Sequence, residues 1–271
     1  MKTRTKSKLE ECILSHLSPK GDLLDLENKS VTPETMRLLC QAGDTLKEVK
    51  QLDLSNNGLG DAEIEFLSTS RCLPNLGKLF LNHNKITNTG AKVLAESKLV
   101  RNINCLMLEA NQIGADGVGS FATSLNLGNL ETLFLDSNPI GPEGATALSM
   151  STCLPSLSAL HMDSTKIGDQ GVKAIAASQT LNKIKKLYLC SNKIGDEGAI
   201  ALSQSPNLRH LSCLSIWRNE IRDAGGRAIA ESNYFLKLER LYMSLNLIDK
   251  PTRRIIRSSD LASRLKTLVM D

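Results

Sequence analysis

Aromatic residues are scarce in this chain, with one Trp, three Tyr and five Phe making up 3% of 271 residues. A core built mainly from ring packing is excluded, so any local gathering of rings needs an explanation. No run of about 18 apolar residues is present to cross a bilayer, and the opening MKTRTKSKLEEC lacks the apolar segment of a secretory signal. Cysteine is sparse and odd in number, and the seven thiols read as reduced side chains of a cytosol-like compartment. The net charge of +4 is too small to call for nucleic acid. Neither C-x-x-C nor H-E-x-x-H occurs, and no phosphate-binding glycine loop stands apart from the other glycines, so no cofactor and no metal is expected.

What the chain has in quantity is one segment written again and again. Ile184 to His210, IKKLYLCSNKIGDEGAIALSQSPNLRH, returns with a period of 27 residues. From Asn192 that step lands on Asn57, Asn84, Asn111, Asn138, Thr165, Asn219 and Asn246. Five positions before each of these stands a leucine, from Leu52 to Leu241, and two positions after stands Leu59 or an isoleucine, Ile86 to Ile248. A unit this small cannot close a core alone, so neighbours must stack and share one.

Within the unit, the alternation Leu187, Leu189 is that of a short strand with one buried face. The Asn192 amide can satisfy backbone groups left open where the chain turns away. Thr165, with only a hydroxyl, is the weakest rung. Asp196, with Asp169 and Asp223 in the same place, reads as the N-cap of the helix that follows, and Pro142 suits a helix start. Small residues at Gly198 and Ala199 let that helix approach its neighbours. The predicted fold is therefore an α/β solenoid, a horseshoe with a parallel β-sheet on the concave face and α-helices on the convex face.

The expected organisation is a single solenoid domain. Residues 1–48 hold a basic tail, a short capping helix over 8–17 and a degenerate first repeat. Eight regular repeats occupy 49–264, and 265–271 form a truncated final strand, for ten strands in all. The basic cluster from Lys250 to Lys266 reads as a solvated cap.

Strand positions between the ladder leucines should point to the open concave face. The column four residues before the ladder reads Asp53, Phe80, Met107, Phe134, His161, Tyr188, Ser215, Tyr242, and the column two residues before it reads Ser55, Asn82, Glu109, Asp136, Asp163, Cys190, Trp217, Ser244. Five of the nine aromatics fall on these sixteen positions, the composition of a protein interface. The consecutive acids Glu109, Asp136 and Asp163 repel one another until a basic group arrives, so the expected partner is a protein with Lys or Arg at the contact. Arg218 flanks the same face. Two other readings use these residues. The acids could gather a hard cation, although without a ligand-rich loop. His161, Asp163 and Cys190 share a patch and could form a Cys-His-Asp group, although an open sheet excludes little water and offers no oxyanion hole.

Residues 184–203 resemble the ribonuclease-inhibitor-like class of leucine-rich repeats, L-x-x-L-x-L-x-x-N-x-I-G-D-x-G-A-x-x-L-A, almost letter for letter. That resemblance implies a monomeric, non-enzymatic binding module, with no membrane or nucleic-acid partner, which could inhibit an enzyme by covering its active site. The array is also similar to leucine-rich-repeat effectors of intracellular bacteria such as Legionella, implying work in the host cytosol if the protein is delivered. Similar repeats occur in the GTPase-activating protein for Ran, whose acidic tail is missing here.

Overall fold

A computed structural model describes residue 11 and residues 14–271. The basic tail and most of the helix expected over 8–17 lie outside the described residues. From Leu17, which pairs antiparallel with Leu24, the chain enters a sheet of ten parallel strands in sequence order. The strands are β1 Leu23–Asp25, β2 Gln51–Asp53, β3 Lys78–Phe80, β4 Cys105–Met107, β5 Thr132–Phe134, β6 Ala159–His161, β7 Lys186–Tyr188, β8 Cys213–Ser215, β9 Arg240–Tyr242 and β10 Thr267–Val269. Each pairs with the next so that ladder leucine faces ladder leucine, as Leu79 faces Leu106 and Leu106 faces Leu133. The helices are α1 Pro33–Gln41, α2 Asp61–Ser68, α3 Asn88–Glu96, α4 Ala115–Ala122, α5 Gly141–Ser149, α6 Gly168–Ala177, α7 Asp196–Ser203, α8 Asp223–Ala230, α9 Lys250–Arg257 and α10 Asp260–Arg264. From α2 to α9 they stack one on the next behind the sheet, and since a helix is about 10 Å wide while strands sit about 4.8 Å apart, the strand side is concave.

The buried leucines and isoleucines form one continuous core along the array, with Leu52, Leu79, Leu106, Leu133, Leu160, Leu187, Leu214 and Leu241 all inaccessible to solvent. The asparagine ladder closes the turn side. Asn192 Nδ2 donates to the carbonyls of Met162, 2.7 Å, and Cys190, 3.1 Å, while its Oδ1 accepts from the backbone of Thr165, 3.0 Å, and Ile167, 3.3 Å. Each rung thus ties its own turn to the preceding one. Thr165 is indeed the weak rung. Its hydroxyl donates to the Met162 carbonyl, 2.7 Å, but it has no amide oxygen for the Ile140 N–H, which turns instead to the Asn138 carbonyl, 2.9 Å. Gly141, at φ 69°, donates its N–H to the Thr165 carbonyl at 3.0 Å, as Gly168, at φ 56°, does to the Asn192 carbonyl at 3.1 Å. A left-handed backbone favours glycine there.

One expectation is corrected. Asp196 and Asp169 do not cap their own helices; each caps the helix of the next repeat. Asp169 Oδ1 accepts from the N–H groups of Gly195, 2.8 Å, and Gly198, 2.9 Å, at the start of α7, and Asp196 Oδ1 accepts from Arg222 and Gly225, both 2.8 Å, at the start of α8. Asp223 likewise reaches the Asp249 N–H at 2.9 Å. The reason is packing. Neighbouring helix starts lie so close that the carboxylate finds open N–H groups across the interface rather than in its own first turn.

That proximity explains the glycine. A Cβ on Gly198 would lie 2.5 Å from Asp169 Oδ1 and 2.7 Å from Ile194 Cγ2, whereas one on Gly119, inside α4, would meet nothing within 4 Å. Gly198→Ala should therefore displace the capping carboxylate and lower stability by about 1–2 kcal/mol. Gly119→Ala should raise it by about 0.5–1 kcal/mol, because glycine weakens a helix interior. Urea denaturation of both variants checks the opposite signs.

Candidate functional site

The side chains alternating with the buried leucines line the concave side, and register sets their spacing. Like positions in successive repeats become neighbours across the sheet. In the aromatic column the Phe134 and His161 rings stack with centroids 3.9 Å apart, and His161 and Tyr188 stack at 4.1 Å. Parallel strands held in register make a face-to-face stack, which the chain sequence alone does not specify. Because the rings cover one another, the face is less open than expected. Phe80, Met107, Phe134, His161, Tyr188 and Tyr242 are half-buried, while Trp217 and Arg218 are exposed. The Tyr188 hydroxyl oxygen also accepts from the Cys213 thiol, 3.6 Å, and burial pushes the Tyr188 pKa up to about 12.

The acids are not a free row of charge either. Asp136 Oδ1 accepts from the Asp163 N–H at 2.6 Å, and Asp163 Oδ1 accepts from the Cys190 N–H at 2.6 Å. Asn82 does the same for the Glu109 N–H at 2.9 Å. These side chains form a second inter-repeat ladder beside the asparagines. Asp136 is buried, and burial pushes its carboxyl up to about 7, with the charges of Asp163 and Glu109 adding to the shift against the Asp163 N–H. Burial also raises the Asp163 carboxyl. Near neutral pH, then, Asp136 holds its proton far more readily than an exposed aspartate does. Among the described residues the carboxylates whose oxygens gather within 4.8 Å are Asp25, Glu27 and Asp53, not Glu109, Asp136 and Asp163, which reach instead along the ladder.

The Cys-His-Asp arrangement has the wrong electrostatics for a nucleophile. Burial pushes the Cys190 thiol up to about 11 and lowers His161 to about 4, and Cys190 Sγ lies 3.0 Å from Ser215 Oγ. At neutral pH the thiol stays protonated, and the imidazole is neutral and sandwiched between two rings. A catalytic cysteine needs its thiolate favoured, the opposite of this environment.

Two features escaped the sequence reading. A third concave column, six residues before the ladder, carries Lys78 and Lys186, both exposed, and Arg240, whose Nε is buried without a hydrogen-bond partner. It was legible as the remaining outward position of each strand. The second is a serine ladder with the same 27-residue period, from Ser70 to Ser259. Ser124, Ser151, Ser178, Ser205 and Ser232 each donate at 2.5 Å to a carbonyl near the end of the preceding repeat's helix, as Ser178 does to the Ser149 carbonyl. Ladders at the strand end and at the helix end thus join neighbouring repeats along most of the array, with further caps at the helix start from Asp61, Asn88, Asp169, Asp196 and Asp223, and together they hold the concave columns in place.

A family sequence model described as Leucine Rich repeat matches residues 73–95, 123–149, 153–176, 180–203 and 207–230. Five repeats of the solenoid are leucine-rich repeats. The five matches keep the phase of the observed helices and turns, and the sheet extends the same architecture beyond them in both directions. No curated protein matches the chain significantly. Leucine-rich repeat solenoids of this kind are protein-interaction scaffolds, and no helix among the described residues is long and apolar enough to cross a membrane.

Proposed function

We propose that the concave face of these leucine-rich repeats docks one partner protein. The observation that carries this reading is the stacked run of Phe134, His161 and Tyr188, continued by Tyr242 and the exposed Trp217, on a sheet face that no other part of the described chain covers. Phe80 and Met107 extend the apolar strip toward the first repeats. Glu109, Asp136 and Asp163 set orientation by receiving Lys or Arg groups of the partner, and Arg218 receives a carboxylate. The protein acts as a monomeric, non-enzymatic module in a reducing compartment, the host cytosol if it is a delivered effector. Covering the active site of a partner enzyme is the form of action implied by the ribonuclease-inhibitor-like resemblance.

Trp217 is the anchor of largest expected effect on binding. Trp217→Ala should weaken a purified partner by about 2 kcal/mol, roughly 30-fold, since large aromatics dominate interface energetics. The experiment that tests the reading compares proteins retained from cytosol by the wild type and by the Phe134→Ala, Trp217→Ala, Tyr242→Ala triple variant. A protein held stoichiometrically by the first and lost by the second supports it. Equal retention moves the interface elsewhere.

A further inference from the structure

The strands enter the sheet from an edge formed by the loops between each helix and the following strand. At the loops that lead into the last four strands this edge is strongly basic. Lys183, Lys185, Lys186, Arg209, Lys237 and Arg264 are all exposed. The acid among them, Glu239, is committed to Lys266 at 2.9 Å. Between Gly128 and Leu160 the same edge carries one charge, Glu131, which separates this basic stretch from Lys47, Lys50, Lys78 and Arg101 on the edge of the first repeats.

The backbone under these charges is rigid and in register. Lys185, Ser212 and Glu239 each accept two backbone hydrogen bonds from the next repeat through their carbonyls, at 2.7–3.1 Å. Lys185 and Lys266 therefore stand at equivalent positions three repeats apart, and Lys183, His210, Lys237 and Arg264 form a parallel row beside them. Between the rows lies a depression of about 430 Å³. Buried Leu238 contributes to its lining, and Leu236, 65% exposed, stands on its wall.

Cations flanking an apolar floor fit a ligand that carries carboxylates on either side of an apolar side chain. No Phe, Tyr or Trp lines the depression, so a nucleic-acid base finds no ring to stack on. A lone exposed leucine gives a bilayer little to hold. We propose that this edge is a second docking site, which binds an acidic segment of a partner protein, with its carboxylates on Lys185, Lys237 and Arg264 and an apolar side chain against Leu236.

This site does not depend on the aromatic face, and its test separates the two. A fluorescein-labelled peptide with glutamates flanking a central leucine is titrated with the full chain and followed by anisotropy. Saturable binding is expected at low salt and should weaken at physiological ionic strength, as exposed charge pairs do. The Lys185→Glu, Lys237→Glu, Arg264→Glu variant should lose about tenfold or more in affinity. Leu236→Ala, which leaves every charge in place, should also bind more weakly. The Phe134→Ala, Trp217→Ala, Tyr242→Ala variant should bind the peptide as the wild type does. The proposal is overturned if the peptide does not saturate at low salt, if charge reversal leaves its affinity unchanged, or if oligouridylate or phosphatidylserine vesicles displace it at lower concentration than unlabelled peptide.

Discussion

Asn192→Ala should cost about 4 kcal/mol or more of folding stability, a large share of the roughly 5–15 kcal/mol typical of a domain. The residue is 1% exposed, and its amide serves groups in two repeats at once. Alanine removes the donors to the Met162 and Cys190 carbonyls and the acceptor for the Thr165 and Ile167 N–H groups. A buried polar group left without a partner costs about 1–3 kcal/mol, and here several are orphaned together. They sit beside Thr165, already the weak rung, so the neighbouring repeat has little capacity to compensate. Asn246→Ala is the control. That residue is half-buried and makes fewer bonds near the end of the array, donating to Ile216 and Met243 and accepting from Ile221, so water can replace part of what it loses. Urea denaturation should show a loss of about 1–2 kcal/mol for Asn246→Ala. A loss below about 1 kcal/mol for Asn192→Ala would mean that the ladder does not hold the repeats together.

The second large effect concerns Asp136 and depends on pH. Its folded pKa, about 7, stands well above the ordinary 3.8 that the unfolded chain restores. A raised acid pKa means the folded state holds the proton more tightly than the unfolded state. Between pH of about 4 and about 7 the folded state is therefore favoured by acid, and its stability falls as pH rises through this window. Asp136→Asn keeps an oxygen to accept from the Asp163 N–H while removing the buried charge. Relative to the wild type, it should gain about 2 kcal/mol at pH 8 and little at pH 4, the difference growing between these values. Thermal or urea unfolding across that range checks it. An equal effect at both ends would show that the carboxyl titrates as an exposed one. The same ionisation bears on binding. If Asp136 receives a cation from the partner, affinity for that partner should rise as pH increases through 7, because the carboxylate is then present.

The architecture was readable from residue spacing because the period does not slip from β2 onward. A constant step of 27 residues fixes the register of every strand pair from β2 to β10, and the leucine and asparagine columns then fix which face is buried. The ten strands and the asparagine ladder follow from those columns alone. What was not readable depends on how closely the units approach one another. Asp169 looks like an N-cap in its own repeat, and only the contact of α6 with α7, made close by Gly198, sends its carboxylate to the next helix. The concave columns looked open because alternation with buried leucines says nothing about sideways contact. In-register stacking partly buries Phe134, His161 and Tyr188, and the Asp136 and Asp163 carboxylates each give one oxygen to a backbone N–H group of the next repeat. The serine ladder was plain in the sequence, but serine is common enough in loops to pass unnoticed unless its phase is checked.

The central claim is that the strand face, not the helices, contacts the partner. Hydroxyl-radical footprinting of the complex with the protein retained on the wild-type column tests it most directly, since oxidation reports side-chain exposure residue by residue. The account predicts protection of Met107, Tyr188, Trp217 and Tyr242 on binding, with Met150, which is 73% exposed after α5, labelled equally in the free and bound states. Protection of Met150 and Leu125 with Trp217 and Tyr242 unchanged would place the partner on the helices and contradict it.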